Sequence, residues 1–140
     1  MKKRILVMGG GHQGLAMAAH MAYNGEEVSL WNRTAANVAA VKDSNVIHVH
    51  GILEEKVAVR NVISSLSDVT SDLIMVTTTA AAHKDIAPLL APIISEDSII
   101  VLNPGRTFGA LEFAAELKKS GCSCMPRIAE TQSIIYTCRR

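Results

Sequence analysis

The sequence predicts an α/β domain built on a mainly parallel sheet with helices on both faces, and three observations carry that prediction. Short runs such as RILVM (4–8), DLIMVT (72–77) and SIIVL (98–102) are apolar over nearly their whole length. Strands covered on both faces read this way. Segments with helical periodicity alternate with them. A glycine-rich turn, GGGHQG, joins the first apolar run to the first helical segment.

Taken in order, Arg4 to Met8 is a buried strand, and Leu15 to Tyr23 is a helix stopped by Asn24 and Gly25. Val28 to Trp31 is the second strand. Thr34 is placed to cap a helix over 35–41, and Asp43, Ser44 and Asn45 form a turn. Val46 to His50 and Lys56 to Asn61 are mixed in polarity around Gly51, which predicts an edge or a hairpin. Ser65 to Val69 is at most a short helix.

Asp72 to Thr77 is a fully buried strand, and a helix over 81–90 follows, bent by Pro88. Ser98 to Leu102 is the next strand, NPGRTFG a loop, and Ala110 to Lys119 an amphipathic helix stopped by Ser120 and Gly121. Cys122 to Ile128 is the last well-defined strand, with one more extended piece over 134–138. No repeat or linker interrupts the pattern, so one domain accounts for residues 1–140.

Composition excludes several classes of function. The formal net charge is +1 with lysine and arginine scattered, so no nucleic-acid footprint is present. Aromatic content of 4% argues against base-stacking platforms. No apolar run has the length of a membrane span, and the basic start MKKRILVM is broken by glycines before it makes an export signal. Cys122, Cys124 and Cys138 are neither a disulfide framework nor a zinc set. They read as free thiols in a reducing cytoplasm, where the protein is expected to reside.

The spacing Gly9-x-Gly11-x-x-Gly14 between a strand and a helix predicts a dinucleotide site in a Rossmann-type, doubly wound sheet. Gly9 serves the tight turn, Gly11 the approach of a pyrophosphate, and Gly14 close packing of helix on strand. His12 and Gln13 are expected to offer backbone N–H groups at the helix start. A kinase-type phosphate loop is excluded, because Gly14 is followed by Leu15 rather than by lysine.

The end of the second strand selects the cofactor. Asn32 stands 23 positions after Gly9, where an acidic residue would hold the ribose of NAD. Asn32 is neutral, Arg33 offers a charged fork to a 2′-phosphate, and Thr34 adds a hydroxyl. NADP is therefore the expected cofactor, with NAD as the alternative. Ligands in such sheets lie beyond the carboxyl ends of the strands. Thr77, Thr78 and Thr79 there either line the groove or cap the next helix, and Asn103, Pro104 and Gly105 either approach the nicotinamide or make an ordinary turn.

No catalytic constellation or metal site emerges. His83 reads as a solvated histidine at a helix start, with Asp85 its only carboxylate neighbour in sequence. His48 and His50 read as part of a polar edge strand, and Glu130 alone defines no reaction.

Four stretches together, ILVMGGGHQGLAMAAH, LWNRT, LNPGRTFGALEF and IAETQSIIYTCR, resemble the amino-terminal domain of the octopine/nopaline (opine) dehydrogenase family. The resemblance runs over essentially all 140 residues. The asparagine–proline–glycine segment and the AET…YxCR ending are more specific than the glycine motif. It implies an enzyme that reductively joins an amino acid to a 2-oxo acid by hydride transfer from a nicotinamide cofactor. It also implies a mostly helical second domain carrying a catalytic histidine–aspartate pair, which this chain does not contain. The expected partners are the two small-molecule substrates, and these only with that second domain, a complementing carboxyl-terminal polypeptide or a homodimer partner. Two other readings stay open: a nucleotide-sensing module without chemistry, and the cofactor domain of a ketopantoate reductase or hydroxyacid dehydrogenase.

Overall fold

In the computed structural model, which describes residues 1–139, six strands form one parallel sheet. They are β1 (Arg4–Met8), β2 (Glu27–Trp31), β5 (Asn61–Ile63), β6 (Leu73–Val76), β7 (Ile99–Leu102) and β8 (Arg127–Glu130). Their order is β5-β2-β1-β6-β7-β8, and every neighbouring pair is parallel. The chain thus winds outward from β1 in one direction and then, from β6, in the other, which is the predicted doubly wound architecture.

The alternation of side chains along β1 explains its unbroken apolar run. Ile5 and Val7 enter one core with Met17, Ala18, Val28 and Leu30, while Leu6 and Met8 enter the opposite core with Ile74, Leu90, Ile100 and Phe113. The first core lies under helix α1 (His12–Tyr23), the second under α3 (His83–Leu90) and α4 (Gly109–Lys119). A central strand with polar residues on either face would bury them without partners.

Several boundaries differ from the sequence expectation, each for a local reason. Helix α1 begins at His12, not Leu15, because the extended Gly11 (φ −77°, ψ −170°) already accepts the Leu15 N–H at 3.0 Å. The helix expected over 35–41 is a 3₁₀ turn, Ala35–Val38, followed by α2 (Ala39–Ser44). Asp43 and Ser44 therefore belong to a helix, which Asn45 stops in the left-handed conformation (φ 54°). Thr34 precedes the 3₁₀ turn, but its side chain makes no capping bond.

The hairpin around Gly51 is present as β3 (Val46–Val49) paired antiparallel with β4 (Glu55–Ala58), a sheet of its own. Asn61 lies outside it and opens β5 of the main sheet. Residues 65–69 form no helix. The helix expected over 81–90 is a 3₁₀ turn (Ala80–Ala82) running into α3, and Pro88 sits inside α3 without ending it. The last strand starts at Arg127, since the chain from Cys122 to Pro126 is still returning from α4. Residues 134–138 form no strand, because β8 is already the sheet edge and the chain has crossed back to α1.

Candidate nucleotide-binding site

The turn at residues 9–11 follows β1 and is held from two sides, by the carboxyl ends of β2 and β6. The Gly9 N–H donates to the Trp31 carbonyl at 2.8 Å, and the Gly10 N–H to Asn32 Oδ1 at 2.8 Å. The Thr77 hydroxyl reaches the Met8 and Gly9 carbonyls, each at 3.1 Å. These four hydrogen bonds tie the turn to neighbouring strand ends, so its geometry is set by the protein itself.

The three motif glycines are required for different reasons. Gly9 has φ +123°, which residues with a side chain rarely adopt. A Cβ on Gly14 would stand 1.7 Å from the Gly9 carbonyl oxygen, so helix and turn pack backbone on backbone. A Cβ on Gly11 would meet no atom of the described residues within 4 Å. Contacts among the described residues therefore leave the space in front of Gly11 open at the helix start. Gly10, which the motif leaves free, is constrained as well: a Cβ there would fall 2.2 Å from Val38.

Asn32 carries more structure than its neutral charge suggested. Its Oδ1 holds Gly10, and its Nδ2 donates to the Thr34 carbonyl at 2.7 Å. Arg33 is exposed and pairs with Asp85 of α3 at 3.3 Å. Asn32, Arg33, Thr34, Thr78 and Thr79 line a cavity of about 190 Å³ floored by Trp31 and Ile86. Thr78 Oγ1 is buried there without a hydrogen-bond partner among the described residues. Thr79 precedes the 3₁₀ turn, and its carbonyl takes the Ala82 N–H at 2.9 Å.

The segment after β7 makes a joint with β8. Asn103 is buried, its N–H on the Val76 carbonyl at 2.8 Å and its Nδ2 on Val101 at 3.0 Å, while its Oδ1 has no partner among the described residues. A cis peptide bond leads to Pro104. Gly105 passes so close to Glu130 that a Cβ would fall 2.2 Å from that residue's own Cβ. Glu130 in turn accepts the Ala110 N–H at 2.6 Å, capping α4.

Three side chains take positions that the sequence does not announce. Besides the backbone N–H expected of it, Gln13 carries an amide that clasps the carboxyl-terminal segment: Nε2 donates to the Tyr136 carbonyl at 2.5 Å and Oε1 accepts the Tyr136 N–H at 3.3 Å. The Tyr136 hydroxyl meets His20 Nδ1 at 2.9 Å. His12 opens α1 and lines a cavity of about 520 Å³ between α1, β3 and residues 137–139. His83 is not solvated. It is 1% exposed, packs edge-on against Phe113 at 5.7 Å, and burial pushes its pKa down. The first side chain of α3 points toward α4, where Phe113 covers it, and no local pattern in AAAHKD announces that.

His48 is exposed on β3, while His50 pairs with Glu54 at 2.9 Å. Among the described residues no group of three or more His, Cys, Asp or Glu is placed to hold a metal, and no helix is long and apolar enough to cross a membrane.

A parallel sheet in this order, with a glycine turn after its first strand and an open face at the start of the following helix, defines the Rossmann-type NAD(P)-binding domain of an oxidoreductase. The chain belongs to the ketopantoate reductase PanE/ApbA family, whose sequence profile matches residues 5–122. Its relation to the opine dehydrogenases reaches further along the chain. An opine dehydrogenase from Arthrobacter sp. (strain 1C) is 35% identical over 140 residues, covering 98% of this chain and 39% of that enzyme. A glycerol-3-phosphate dehydrogenase [NAD(P)+] from Saccharophagus degradans is 30% identical over 104 residues, covering 71% of this chain and 28% of the enzyme. Octopine dehydrogenase solved with NADH and pyruvate superposes with a TM-score of 0.80 at 18% identity, over 99% of this chain and 38% of its own. The chain thus spans well under half the length of these relatives.

Proposed function

We propose that this domain binds NADP(H), with NAD(H) the weaker ligand, and serves as the cofactor half of an opine-dehydrogenase-like oxidoreductase. The carrying observation is the contrast within the glycine motif. Gly9 and Gly14 are demanded by protein contacts, Gly11 by none, and a helix N-terminus begins at the next residue. An anion at that point meets the N–H groups of the first helical turn and the positive end of the helix.

The N–H groups of Gly11, His12 and Gln13 would hold the pyrophosphate. Asn32 would face the adenosine ribose, with Arg33 as a fork for the 2′-phosphate and Thr34 beside it. The unpartnered Thr78 hydroxyl is an available donor in the same cavity, with Thr79 at its rim. Thr77 fixes the turn, and Asn103, Pro104 and Gly105 flank the nicotinamide end beyond β7.

When bound, the cofactor supplies hydride to a carbon of the substrate. The residues of this chain bind and orient it. Among the described residues none pairs an acid–base group with an orienting carboxylate in a closed cleft, so no catalytic residue is assigned. A substrate held against the nicotinamide and shielded from water requires a second domain or subunit, in cis, as a complementing polypeptide or from a homodimer partner. The substrates on this reading are an amino acid and a 2-oxo acid, and the compartment is the cytoplasm.

A second reading, the cofactor domain of a ketopantoate reductase, is favoured by the family match over 5–122. The opine reading is favoured by the rest of the chain: residues 123–139 include the Tyr136 segment clasped by Gln13, and the opine dehydrogenase match extends through them. A sensing module without chemistry is the third.

The test is titration of the chain with NADPH and separately with NADH. It follows the fluorescence of Trp31, the single tryptophan, which floors the cavity, together with the heat of binding. Tighter binding of NADPH supports the reading, equal binding removes the phosphate selectivity, and no binding of either removes the cofactor role. Amino-acid-dependent oxidation of NADPH after adding a second domain separates the opine reading from the other two.

A further inference from the structure

The chain between α4 and β8 carries a cysteine pair far from the nucleotide site. Gly121, at φ +83°, reverses the chain after α4, and the Cys122 N–H is held by the Leu117 carbonyl at 3.1 Å. Two residues later Cys124 turns back toward it, and the two sulfurs stand 3.1 Å apart. Cys124 Sγ also approaches the Ile94 carbonyl at 3.6 Å, so the second sulfur is held from the side of the α3–β7 connection. Both thiols are half-buried and unbridged. They open on a cavity of about 340 Å³ walled by Leu117, Met125 and Pro126, with Lys118 also lining it. Cys138, the third cysteine, lies apart beside Gln13.

We propose that Cys122 and Cys124 form a dithiol site that reacts with a small, negatively charged disulfide and closes to an intraloop disulfide. One cysteine thiolate attacks the small disulfide. The S–S bond breaks, one small thiolate leaves, and a mixed disulfide remains on the protein. The second cysteine, already in sulfur contact, attacks the protein-side sulfur and expels the second small thiolate. The two cysteine protons end on the two released thiols. The protein pair loses two electrons and the small disulfide gains them. The cavity provides room for the incoming disulfide, and Lys118 offers a counter-charge to its carboxylates. The pair precedes β8 at the amino end of the sheet, so closure leaves the glycine turn untouched.

The test treats the full chain with oxidised glutathione at mildly alkaline pH, alkylates the remaining thiols, and reads intact and peptide masses. The expected result is the loss of two of the three alkylatable thiols, a chain lighter by two hydrogens, and a bridge between residues 122 and 124. NADPH-induced quenching of Trp31 stays unchanged. Cys124→Ser is expected to stop at one bound glutathione on Cys122, and Cys122→Ser at one on Cys124. Three surviving thiols, glutathione retained on either residue of the unsubstituted chain, or a bridge to Cys138 would each overturn the proposal.

Discussion

The two halves of the sheet treat their polar atoms differently at the ends that face the ligand. In the β1–β2 half the start of the glycine turn is tied down: the Gly9 N–H on Trp31, the Gly10 N–H on Asn32, and the Thr77 hydroxyl reaching across to the Met8 and Gly9 carbonyls. In the β6–β7 half, Thr78 Oγ1, Asn103 Oδ1 and both ring nitrogens of His83 are buried with no partner among the described residues. A buried polar atom without a partner costs on the order of 1–3 kcal/mol. The first half is thus a rigid cradle closed by the protein itself, and the second keeps hydrogen-bonding capacity in reserve. Recognition of a phosphate needs the former, because backbone N–H groups must be aimed in advance.

The sharpest way to break this comparison is at Gly14. Alanine there places Cβ against backbone that cannot move independently, and Gly14→Ala is expected to cost about 3 kcal/mol and to abolish NADPH binding. Denaturant unfolding reads the first effect and Trp31 quenching the second. A variant as stable as the parent would show that helix and turn are not in backbone contact. Gly11→Ala is the counterpart: stability should change by less than about 1 kcal/mol, while NADPH affinity falls about tenfold or more. Unchanged affinity would mean that the open face at Gly11 does not receive the cofactor.

The cofactor preference comes next in size. Arg33→Ala is expected to weaken NADPH about tenfold and to leave NADH unaffected, as removal of one charged hydrogen-bonding group implies. Asp85→Asn should act in the opposite direction and more weakly, because Asp85 holds the Arg33 guanidinium at 3.3 Å and would repel a 2′-phosphate. Parallel titrations of both variants check the pair, and equal loss of NADPH and NADH in Arg33→Ala would remove the selectivity argument.

The smallest effect is a pH dependence in the second half. Burial lowers the pKa of His83 below its ordinary 6.5, so the unfolded chain takes up a proton more readily than the folded one. The associated stability is complete above pH 6.5 and is lost as pH falls through that value toward the folded pKa. His83→Leu should flatten this part of the melting-temperature profile. An unaltered acid limb would place its origin in other groups, among them the Asp72 carboxylate, which its hydrogen bonds to Arg4 hold down at about 2.

The difference between the halves also explains what the sequence made legible. The alternation of strands and helices, the two-faced burial of β1 and the glycine turn follow from local pattern, since a continuous apolar run and a spaced set of glycines each have few structural meanings. The role of Gly10 was within reach: a glycine at a position the motif leaves free is a sign of a neighbour, here Val38. The burial of His83, the Gln13–Tyr136 clasp and the capping of α4 by Glu130 were not. They join residues 20 or more positions apart, and a single sequence holds no record of such pairings. Boundaries failed where conformations shift gradually, as in the 3₁₀-to-α passages before α2 and α3.

The clasp on Tyr136 has a mechanical consequence. Main chain and ring of that residue are fastened at two points along α1, through Gln13 and His20, and its ring packs with the core beneath the helix. A load on the carboxyl-terminal segment is therefore passed to the helix that follows the glycine turn, like a rod acting on a crank. A shift of Tyr136 would thus be passed, through Gln13, to the start of α1 and to the aim of the N–H groups of residues 11–13.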